Sequence, residues 1–314
     1  MSNYDIKGKS DAEIRSLIRR LELHRLKIIF NYWKQTDLQF NIRLFEEGKG
    51  YKPNLEAPKT FSEKLIFLKM HYRNPLQNLC SDKYHVNEYV RACGLEHILK
   101  ETYFVTRDAR TIDYSSLPST FFMRCNHMSG FNYALSKEDI KAPIQIGNFF
   151  NSLRKINWYQ NMREWNYTNI EPLVLCEELL SNPDGSPLVD YKFYCFSGEP
   201  KYLMVSMGEY EHKVRNHKFD MSGKSIDFHF KKKPTLEEKD AIIPDNLSEM
   251  VEMAKKLCKP FPHVRVDFYN IAGRIVFGEL TFYSNGGVVN LVDRDYEEEI
   301  GSWIDLEKYT TDMI

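Results

Sequence analysis

The chain has 314 residues, a formal net charge of −1 and six cysteines, none of which falls in a C-x-x-C pair. The length allows a large core in one to three domains, whereas the balanced charge excludes the basic footprint of a nucleic-acid-binding protein. The cysteine spacing argues against a zinc ribbon or a disulfide scaffold and predicts a reduced, cytoplasmic setting.

The N-terminal region is predicted to contain a basic amphipathic helix, with no signal peptide and no apolar run long enough to span a membrane. Ser10 and Glu13 form a capping-box pattern at its start. The arginine and lysine side chains of residues 10–30 suit an anionic membrane surface. The alternative is a helix that docks on the protein and exposes a solvated face. The residues at helical spacing are Ile14, Leu17, Ile18 and Leu21.

Further helix and an irregular Pro/Gly linker are predicted up to residue 60, followed by two helices and a strand. The first of these helices is FSEKLIFLKMHYRN, with Ser62 as its cap, and the second begins around Asp82. Lys83 would lie in the first turn of the second helix, where a cation opposes the helix dipole, so a nearby anion would explain it. An exposed surface lysine is the alternative.

Two short apolar strands each precede polar residues in the middle of the chain. FFMRC, which includes Arg124, leads into a loop of small and polar residues that could drape backbone N–H groups over phosphates. The loop has no Walker pattern and no G-x-G-x-x-G. LVLC leads into Glu177 and Glu178, a junction that could offer backbone groups to an adenine edge. The loop residues are Asn126, His127, Ser129, Gly130 and Asn132.

DYKFYCFSGEPKYLMVS is predicted to form a β-hairpin that turns at Ser197–Gly198, with Asp190 and Lys192 on one face. The polar segment 208–220 suits an active-site loop with Arg215 as an anion clamp, although a solvated loop is the alternative. A helix with core-facing Met250, Met253, Ala254 and Leu257 follows, and an acidic helix closes the chain.

A second hairpin is predicted over residues 261–289, where VRVDFY and RIVFGELTF alternate around the turn NIAG. Side chains of a strand repeat every two residues, so Arg265 and Asp267 point to one face of the first strand, and Glu279 and Thr281 share a face of the second strand. If the strands pair, two carboxylates lie over one spot beside an arginine, which suits a hard divalent cation and its phosphates. A surface hairpin with solvated acids is the alternative.

The order of these features resembles the ATP-grasp superfamily, and within it the TupA-like branch, which is named for teichuronopeptide biosynthesis and found in polysaccharide gene clusters. The similar text runs from FSEKL near residue 61 to the C-terminus, which is most of the chain. The strings that carry the resemblance are SDKYHVNEYV, CNHMSGFN, CEELL, DYKFYCFSGEPKYLMV, VRVDFY and FGELTF.

The resemblance implies an α/β (α+β) fold of the ATP-grasp type, with two α+β lobes that clamp ATP and an N-terminal helical extension. The implied domains are a helical extension and linker (1–60), an N-terminal α/β subdomain (61–117), a small lobe with the phosphate loop (118–181) and a C-terminal lobe with the metal site (182–314).

The resemblance also implies roles for individual residues. Lys83 matches the first phosphate-contacting lysine, whereas Arg124 falls where relatives usually have a second lysine. Arg265 matches the arginine that stabilises the tetrahedral intermediate. The implied nucleotide-binding residues are Lys83, Arg124, Ser129, Gly130, Glu177, Glu178, Leu179 and Lys192. The implied magnesium ligands are Asp267 and Glu279, with Thr281 in place of the usual asparagine and Asn285 as a stand-in; the substrate-binding residues are His127 and Arg215.

The implied activity is that of an ADP-forming ligase that uses ATP and Mg²⁺ to join a carboxylate and an amine through an acyl phosphate. The expected co-substrates are small molecules: a uronic acid of a capsular or cell-wall polysaccharide, and an amino acid or amino alcohol. No nucleic-acid partner is expected. The protein is expected in the cytoplasm, with peripheral contact at the inner face of the membrane open to the basic N-terminal helix.

Two other functions remain open from the sequence. A glycosyltransferase would use the D-x-D formed by Asp293, Arg294 and Asp295 to hold a metal and a nucleotide-sugar, although Asp295 also fits a helix N-cap. A non-catalytic nucleotide-binding partner in a polysaccharide assembly complex would account for the departures at Arg124 and Thr281.

Overall fold

The structure, a computed structural model, describes residues 4–208, 214–226, 236–237, 241–289 and 294–313. Asp293 and part of the polar segment 208–220 lie outside these residues. The chain divides into two compact units, each built from several stretches of sequence. Unit 1 comprises residues 1–36, 78–86 and 100–180, and unit 2 comprises residues 37–77, 87–99 and 181–314. The division into four consecutive domains stays a prediction.

The fold is a mixture of helices and two antiparallel sheets, as expected for the predicted fold class. The helices of the described residues are α1 (Asp11–Lys34), α2 (Asp37–Lys49), α3 (Phe61–His71), α4 (Pro75–Ser81), α5 (Val86–Ala92), α6 (Pro143–Leu153), α7 (Trp158–Met162), α8 (Leu247–Cys258) and α9 (Arg294–Ser302). The strands are β1 (Thr102–Thr106), β2 (Thr120–Cys125), β3 (Tyr133–Ser136), β4 (Val174–Glu177), β5 (Val189–Phe196), β6 (Glu199–Met207), β7 (Arg215–Phe219), β8 (His263–Ile271) and β9 (Arg274–Thr281).

Unit 1 contains a four-stranded sheet in the order β1-β4-β2-β3, packed against helices. Its core combines alternate residues of β2, such as Phe121 and Met123, with Phe149 and Phe150 of α6. Helix α1 contributes Ile14, Leu17 and Leu21 to the same core. The capping box is confirmed, because the Ser10 backbone N–H donates to the Glu13 carboxylate at 2.9 Å. Helix α1 therefore docks through the predicted apolar face.

Unit 2 contains a five-stranded sheet in the order β7-β6-β5-β8-β9. The two predicted hairpins are confirmed as β5–β6 and β8–β9. Each turn has two residues at positive φ, with values of 50° and 87° at Ser197 and Gly198, and 50° and 90° at Ala272 and Gly273. This is the backbone twist that suits a two-residue hairpin. The predicted methionine stripe is core, since Met250, Met253, Ala254 and Leu257 of α8 are all buried.

The start of α3 differs from the prediction. Thr60, and not Ser62, is the N-cap: its hydroxyl accepts the Glu63 N–H at 3.2 Å, and the Glu63 carboxylate accepts the Thr60 N–H at 3.0 Å. The T-x-x-E pattern therefore outweighs the serine two residues later. Ser62 instead donates its hydroxyl to Glu297 at 3.1 Å and accepts the Val289 N–H at the same distance.

Two further helix boundaries also differ from the prediction. Helix α5 begins at Val86, not at Asp82, so Lys83 lies in the turn before the helix. The Asp82 carboxylate holds that turn by accepting the N–H groups of Tyr84 and His85. Helix α9 is described from Arg294 onward, so Asp295 lies in the first described turn and is not the N-cap. An acid in that position is favoured by the helix dipole.

In unit 2, the backbone of α9 at Gly301 lies close to the backbone at the start of α3. A Cβ atom on Gly301 of α9 would lie 2.9 Å from the Phe61 nitrogen and closer still to the Lys59 carbonyl oxygen. Both atoms belong to backbone at the start of α3, so neither can move away cheaply. We expect Gly301→Ala to lower the free energy of unfolding by about 1–3 kcal/mol. Thermal unfolding measures the loss, and Ser302→Ala at the exposed neighbouring position is the control. Equal stability of the two variants would contradict this packing.

Candidate functional site

The β8–β9 ribbon places the predicted site residues on one face of the unit 2 sheet. Asp267 pairs directly with Glu279, and Arg265 pairs directly with Thr281. The register then shifts, because Gly278 is an extra residue opposite the step from Asp267 to Phe268. Such bulges increase the local twist and often lie beside functional residues. The prediction that acids from the two strands meet on one face is confirmed.

Arg265 connects the members of this site. Its Nε and Nη2 donate to the two carboxylate oxygens of Asp267 at 2.7 Å and 2.6 Å. Nη2 also lies 3.3 Å from the Glu279 Oε1 and 3.1 Å from the Thr281 hydroxyl, and Nη1 donates to the Ser284 hydroxyl at 3.3 Å. A planar guanidinium held at two points has a fixed orientation. Its position is therefore set before any ligand binds.

Burial and neighbouring charges shift the pKa values of Asp267 and Arg265 in opposite directions. Burial raises the pKa of the Asp267 carboxyl above its usual range, while Arg265 and Lys192 act to lower it. Burial alone would lower the pKa of Arg265, but the Asp267 carboxylate raises it well above its usual value. Glu279 is more accessible, with 40% of its side chain exposed against 6% for Asp267. An incoming cation would therefore meet Glu279 first and compete with Arg265 for Asp267.

The register aligns a row of residues across the whole sheet. Lys218 on β7 pairs with Met204 on β6, Met204 pairs with Lys192 on β5, and Lys192 pairs with Asp267. Directly paired residues point to the same face, so two lysines follow one another toward the two acids. Lys192 and Lys218 are both buried, and the Lys192 ammonium lies 3.6 Å from the Asp190 carboxylate. The predicted shared face of Asp190 and Lys192 is confirmed.

Lys218 was missed by the sequence reading, which assigned residues 208–220 to a polar loop. The structure has strand β7 there, and the predicted anion clamp Arg215 is exposed at its first position. The signal lay in the alternation of RNHKF, in which Asn216 and Lys218 share one face and His217 and Phe219 the other. Charged residues on both faces hid this pattern.

The oxygen atoms on this face could provide some, but not all, of the ligands of a magnesium ion. No group of three or more His, Cys, Asp or Glu side chains in the described residues is close enough to hold a metal ion by itself. Asp267 and Glu279 provide two carboxylates, and Asn285 is exposed nearby in sequence with a left-handed backbone (φ 52°). Mg²⁺ commonly uses one or two carboxylates and takes its other ligands from water and phosphates. The donor set therefore fits an ion that arrives with a phosphate-bearing substrate.

In unit 1, Lys83 is joined to the end of β2. Its backbone N–H donates to the Asn126 carbonyl at 3.1 Å, and its ammonium lies 5.8 Å from the centre of the Tyr167 ring. The Asn126 side-chain amide donates to the Asp82 carboxylate at 2.9 Å. Lys83 and the start of the predicted phosphate loop at Asn126 are therefore adjacent within this unit.

Arg124 and Glu177 form a buried ion pair between neighbouring strands. Arg124 Nε lies 2.6 Å from Glu177 Oε2, Nη2 donates to Oε1 at 3.1 Å, and the Lys100 ammonium lies 3.4 Å from Oε2. Burial alone would raise the pKa of Glu177, but the two cations lower it below its usual range. Glu177 pairs within the sheet with Phe122 and Thr102. It is a strand residue, and Lys100 is a partner that the sequence did not indicate.

The other predicted residues of unit 1 lie around this sheet. Glu178 donates its backbone N–H to the Glu101 carbonyl at 2.9 Å, and Leu179 is half-buried beside it. Burial lowers the pKa of His127 to about 4, and its Nε2 lies 3.1 Å from the Ile156 carbonyl, so the imidazole is neutral near pH 7. Ser129 is exposed, and Gly130 has a φ of 78° that glycine adopts without strain.

Comparison with known proteins identifies a family. A family model described as TupA-like ATPgrasp matches residues 63–305. No curated protein matches the sequence.

Several solved ligase structures are similar to this chain. D-alanine–D-alanine ligase from Helicobacter pylori has 15% identity and a TM-score of 0.45, over 78% of this chain and 69% of that one. The ATP-grasp ligase PsnB, complexed with a phosphomimetic variant of its minimal precursor, Mg and ADP, has 13% identity and a TM-score of 0.41, over 74% and 61%. D-alanine–D-alanine ligase from Bacillus anthracis complexed with ATP has 14% identity and a TM-score of 0.39, over 65% and 55%. The match therefore spans less than two thirds of the latter two proteins.

Proposed function

Because this chain belongs to the TupA-like ATP-grasp family, we propose that it is an ATP-dependent ligase that joins a carboxylate to an amine through an acyl phosphate. The observation that carries the proposal is the single face on which Arg265, Asp267 and Glu279 meet, with Lys192 in the same row. That face combines metal-binding oxygens with cations for phosphates. Both are needed where a phosphoryl group is transferred.

Asp267 and Glu279 would hold Mg²⁺, with Thr281 and Asn285 as further oxygen donors. Bound there, the ion would supply Lewis-acid chemistry by withdrawing charge from the phosphoryl group that is transferred. In unit 1 we assign Lys83, Ser129 and Gly130 to phosphate contacts. The remaining assigned contacts to the nucleotide are Arg124, Glu177, Glu178 and Leu179, which the family resemblance implies.

The reaction would begin when the substrate carboxylate attacks the γ-phosphorus of ATP, forming an acyl phosphate and releasing ADP. Lys192 and Lys218 provide positive charge for the phosphates on this face. The amine then attacks the acyl carbon, and the Arg265 guanidinium stabilises the oxyanion before phosphate leaves. Because Asp267 fixes the guanidinium at two points, little reorganisation is required when the oxyanion forms.

The co-substrates follow from the branch of the family. We propose a uronic acid of a capsular or cell-wall polysaccharide as the carboxylate, and an amino acid or amino alcohol as the amine. Arg215 and His127 are the proposed substrate contacts. Since His127 is neutral near pH 7 and largely enclosed, it would act as a hydrogen-bonding group and not as a cation.

The test is incubation of the protein with ATP, Mg²⁺ and a panel of uronic acids and amines. We expect ADP release that requires both a carboxylate and an amine, with an amide product detected by mass spectrometry. UDP release from a UDP-sugar would instead identify a glycosyltransferase. Thermal stabilisation by ATP without turnover of any pair would identify a nucleotide-binding partner, because a ligand that binds only the folded state raises its stability.

A further inference from the structure

Helix α1 has two apolar faces, and the described part of the chain covers only one of them. Its inner face packs in the core of unit 1 through Ile14, Leu17 and Leu21. On the other side, four large apolar residues recur at helical spacing in the second half of the helix. Their exposed fractions are 61% for Leu23, 53% for Leu26, 59% for Phe30 and 78% for Trp33. We call these four residues the outer stripe. A helix that only docked on the protein would not need it.

Arg163 anchors the C-terminal end of the helix that carries the outer stripe. The Arg163 guanidinium lies 4.0 Å from the centre of the Tyr32 ring. Its Nη2 donates to the backbone carbonyls of Tyr32, in the last turn of α1, at 2.9 Å and of Gln35, the residue after the helix, at 3.2 Å. A cation at a helix C-terminus is favourable. These contacts fix the C-terminal end of α1 and therefore the orientation of the outer stripe.

Positive charge accompanies the outer stripe. Residues 15–34 contain six arginine or lysine side chains and one glutamate, a formal charge of +5 in a chain whose net charge is −1. At 100° per residue, Arg19, Lys27 and Lys34 lie within or beside the stripe on the helix surface. Lys34 lies along it, with its ammonium 4.1 Å from the centre of the Phe30 ring. The single glutamate, Glu22, is paired with Arg25 at 2.9 Å.

We propose that the outer stripe of α1 binds the surface of an anionic lipid bilayer. Phe30, Trp33 and the two leucines would enter the boundary between headgroups and acyl chains, while the cations contact anionic headgroups. Long lysine side chains can extend from an apolar face to the headgroups. The charge argues against a second copy as the occupant, because a two-fold interface would place like charges opposite each other. None of the described helices is long and apolar enough to cross a bilayer, so this is binding in the plane of the surface.

The test uses the full chain and sedimentation with vesicles of equal parts phosphatidylglycerol and phosphatidylcholine, against vesicles of phosphatidylcholine alone. We expect binding to the anionic vesicles that weakens as salt is raised, because salt screens the charges. Phe30→Ser with Trp33→Ser should weaken it more than about tenfold. Lys27→Glu with Lys34→Glu should do the same, since each lysine near an anionic surface contributes about fivefold.

Matched controls come from the same unit. Ile144→Ser removes an exposed apolar residue from α6, and Lys141→Glu reverses an exposed charge just before it. Both should leave vesicle binding unchanged. The proposal would be overturned by absence of binding to anionic vesicles, by equal binding to neutral ones, or by stripe variants that bind like the controls. A concentration-dependent dimer that the stripe variants abolish, without vesicle binding, would show that a second copy covers this face.

Discussion

Asp267→Asn combined with Glu279→Gln is expected to reduce ADP formation by about a thousandfold or more. The substitutions keep the size of both side chains but remove the two charges that would hold Mg²⁺ against the transferred phosphoryl group. Charge stabilisation by a metal is worth several kcal/mol in the transition state, and each 1.36 kcal/mol is a factor of ten in rate. The measurement is turnover with the carboxylate and amine that the wild-type protein accepts. Turnover that survives the pair would remove the proposed metal site.

Stability must be separated from chemistry in this experiment. Asp267 is the two-point partner of Arg265, so its loss leaves a poorly compensated cation in the sheet. Glu279→Gln alone is the cleaner arm, because the Glu279 side chain is 40% exposed. We expect it to melt close to the wild-type temperature and to require more Mg²⁺ for half-maximal rate. Glu199→Gln with Glu249→Gln, at exposed acids of unit 2, is the matched control and should change neither quantity.

The candidate site of unit 2 could be predicted because its information is local. A strand alternates with a period of two whatever its partners are, so Arg265 and Asp267 must share a face. The two-residue turn fixes the register only from Ile271–Arg274 to Phe268–Phe277, and on its own it would pair Asp267 with Gly278. The bulge at Gly278, which the alternation did not predict, brings Glu279 opposite Asp267 on the same face. Resemblance to a family added the roles of these residues. Their mutual hydrogen bonds through Arg265 follow from the register and from the length of the arginine side chain.

The partners of Glu177 could not be predicted, because they depend on the order of strands in the sheet. Arg124 is 53 residues away in sequence and Lys100 belongs to the segment before β1. They meet Glu177 only because β4 lies between β1 and β2. Nothing in the alternation of a single strand specifies its neighbours. The same limit explains Lys218, which reaches the row of site residues through β6 and β5 and not through a local motif.

The error at the start of α3 has a different cause. Thr60 and Ser62 are both good capping residues, of which only Ser62 was considered in the prediction. Thr60 has the Glu63 carboxylate as its reciprocal partner. Ser62 is committed to Glu297, 235 residues away, through a contact that depends on how α9 packs on α3. The choice between Thr60 and Ser62 as N-cap therefore depends on the three-residue spacing of Thr60 and Glu63, which can be read from the sequence.

Arg124 gives the second large expected effect, in stability. Arg124→Met should lower the free energy of unfolding by about 3–5 kcal/mol, because it removes the two-point partner of the buried Glu177 carboxylate and leaves it the more distant Lys100 ammonium. Adding Glu177→Leu should restore much of the loss, since replacing a whole buried ion pair by apolar residues is often neutral. Denaturant unfolding of the wild type, the two single variants and the double variant measures the coupling energy between Arg124 and Glu177.

The pH dependence provides an independent check on the same pair. The pKa of Glu177 is lowered in the folded protein, so the ion pair stabilises the fold above the unfolded glutamate pKa of about 4.3 and ceases to do so as the pH falls through the folded value. The stability difference between wild type and Arg124→Met should therefore be full at neutral pH and shrink in acid. Arg124→Lys keeps the charge but not the two-point fork, so it should lose less stability. If Arg124→Met were as stable as the wild type but lost ATP binding, the arginine would serve the nucleotide and not the sheet.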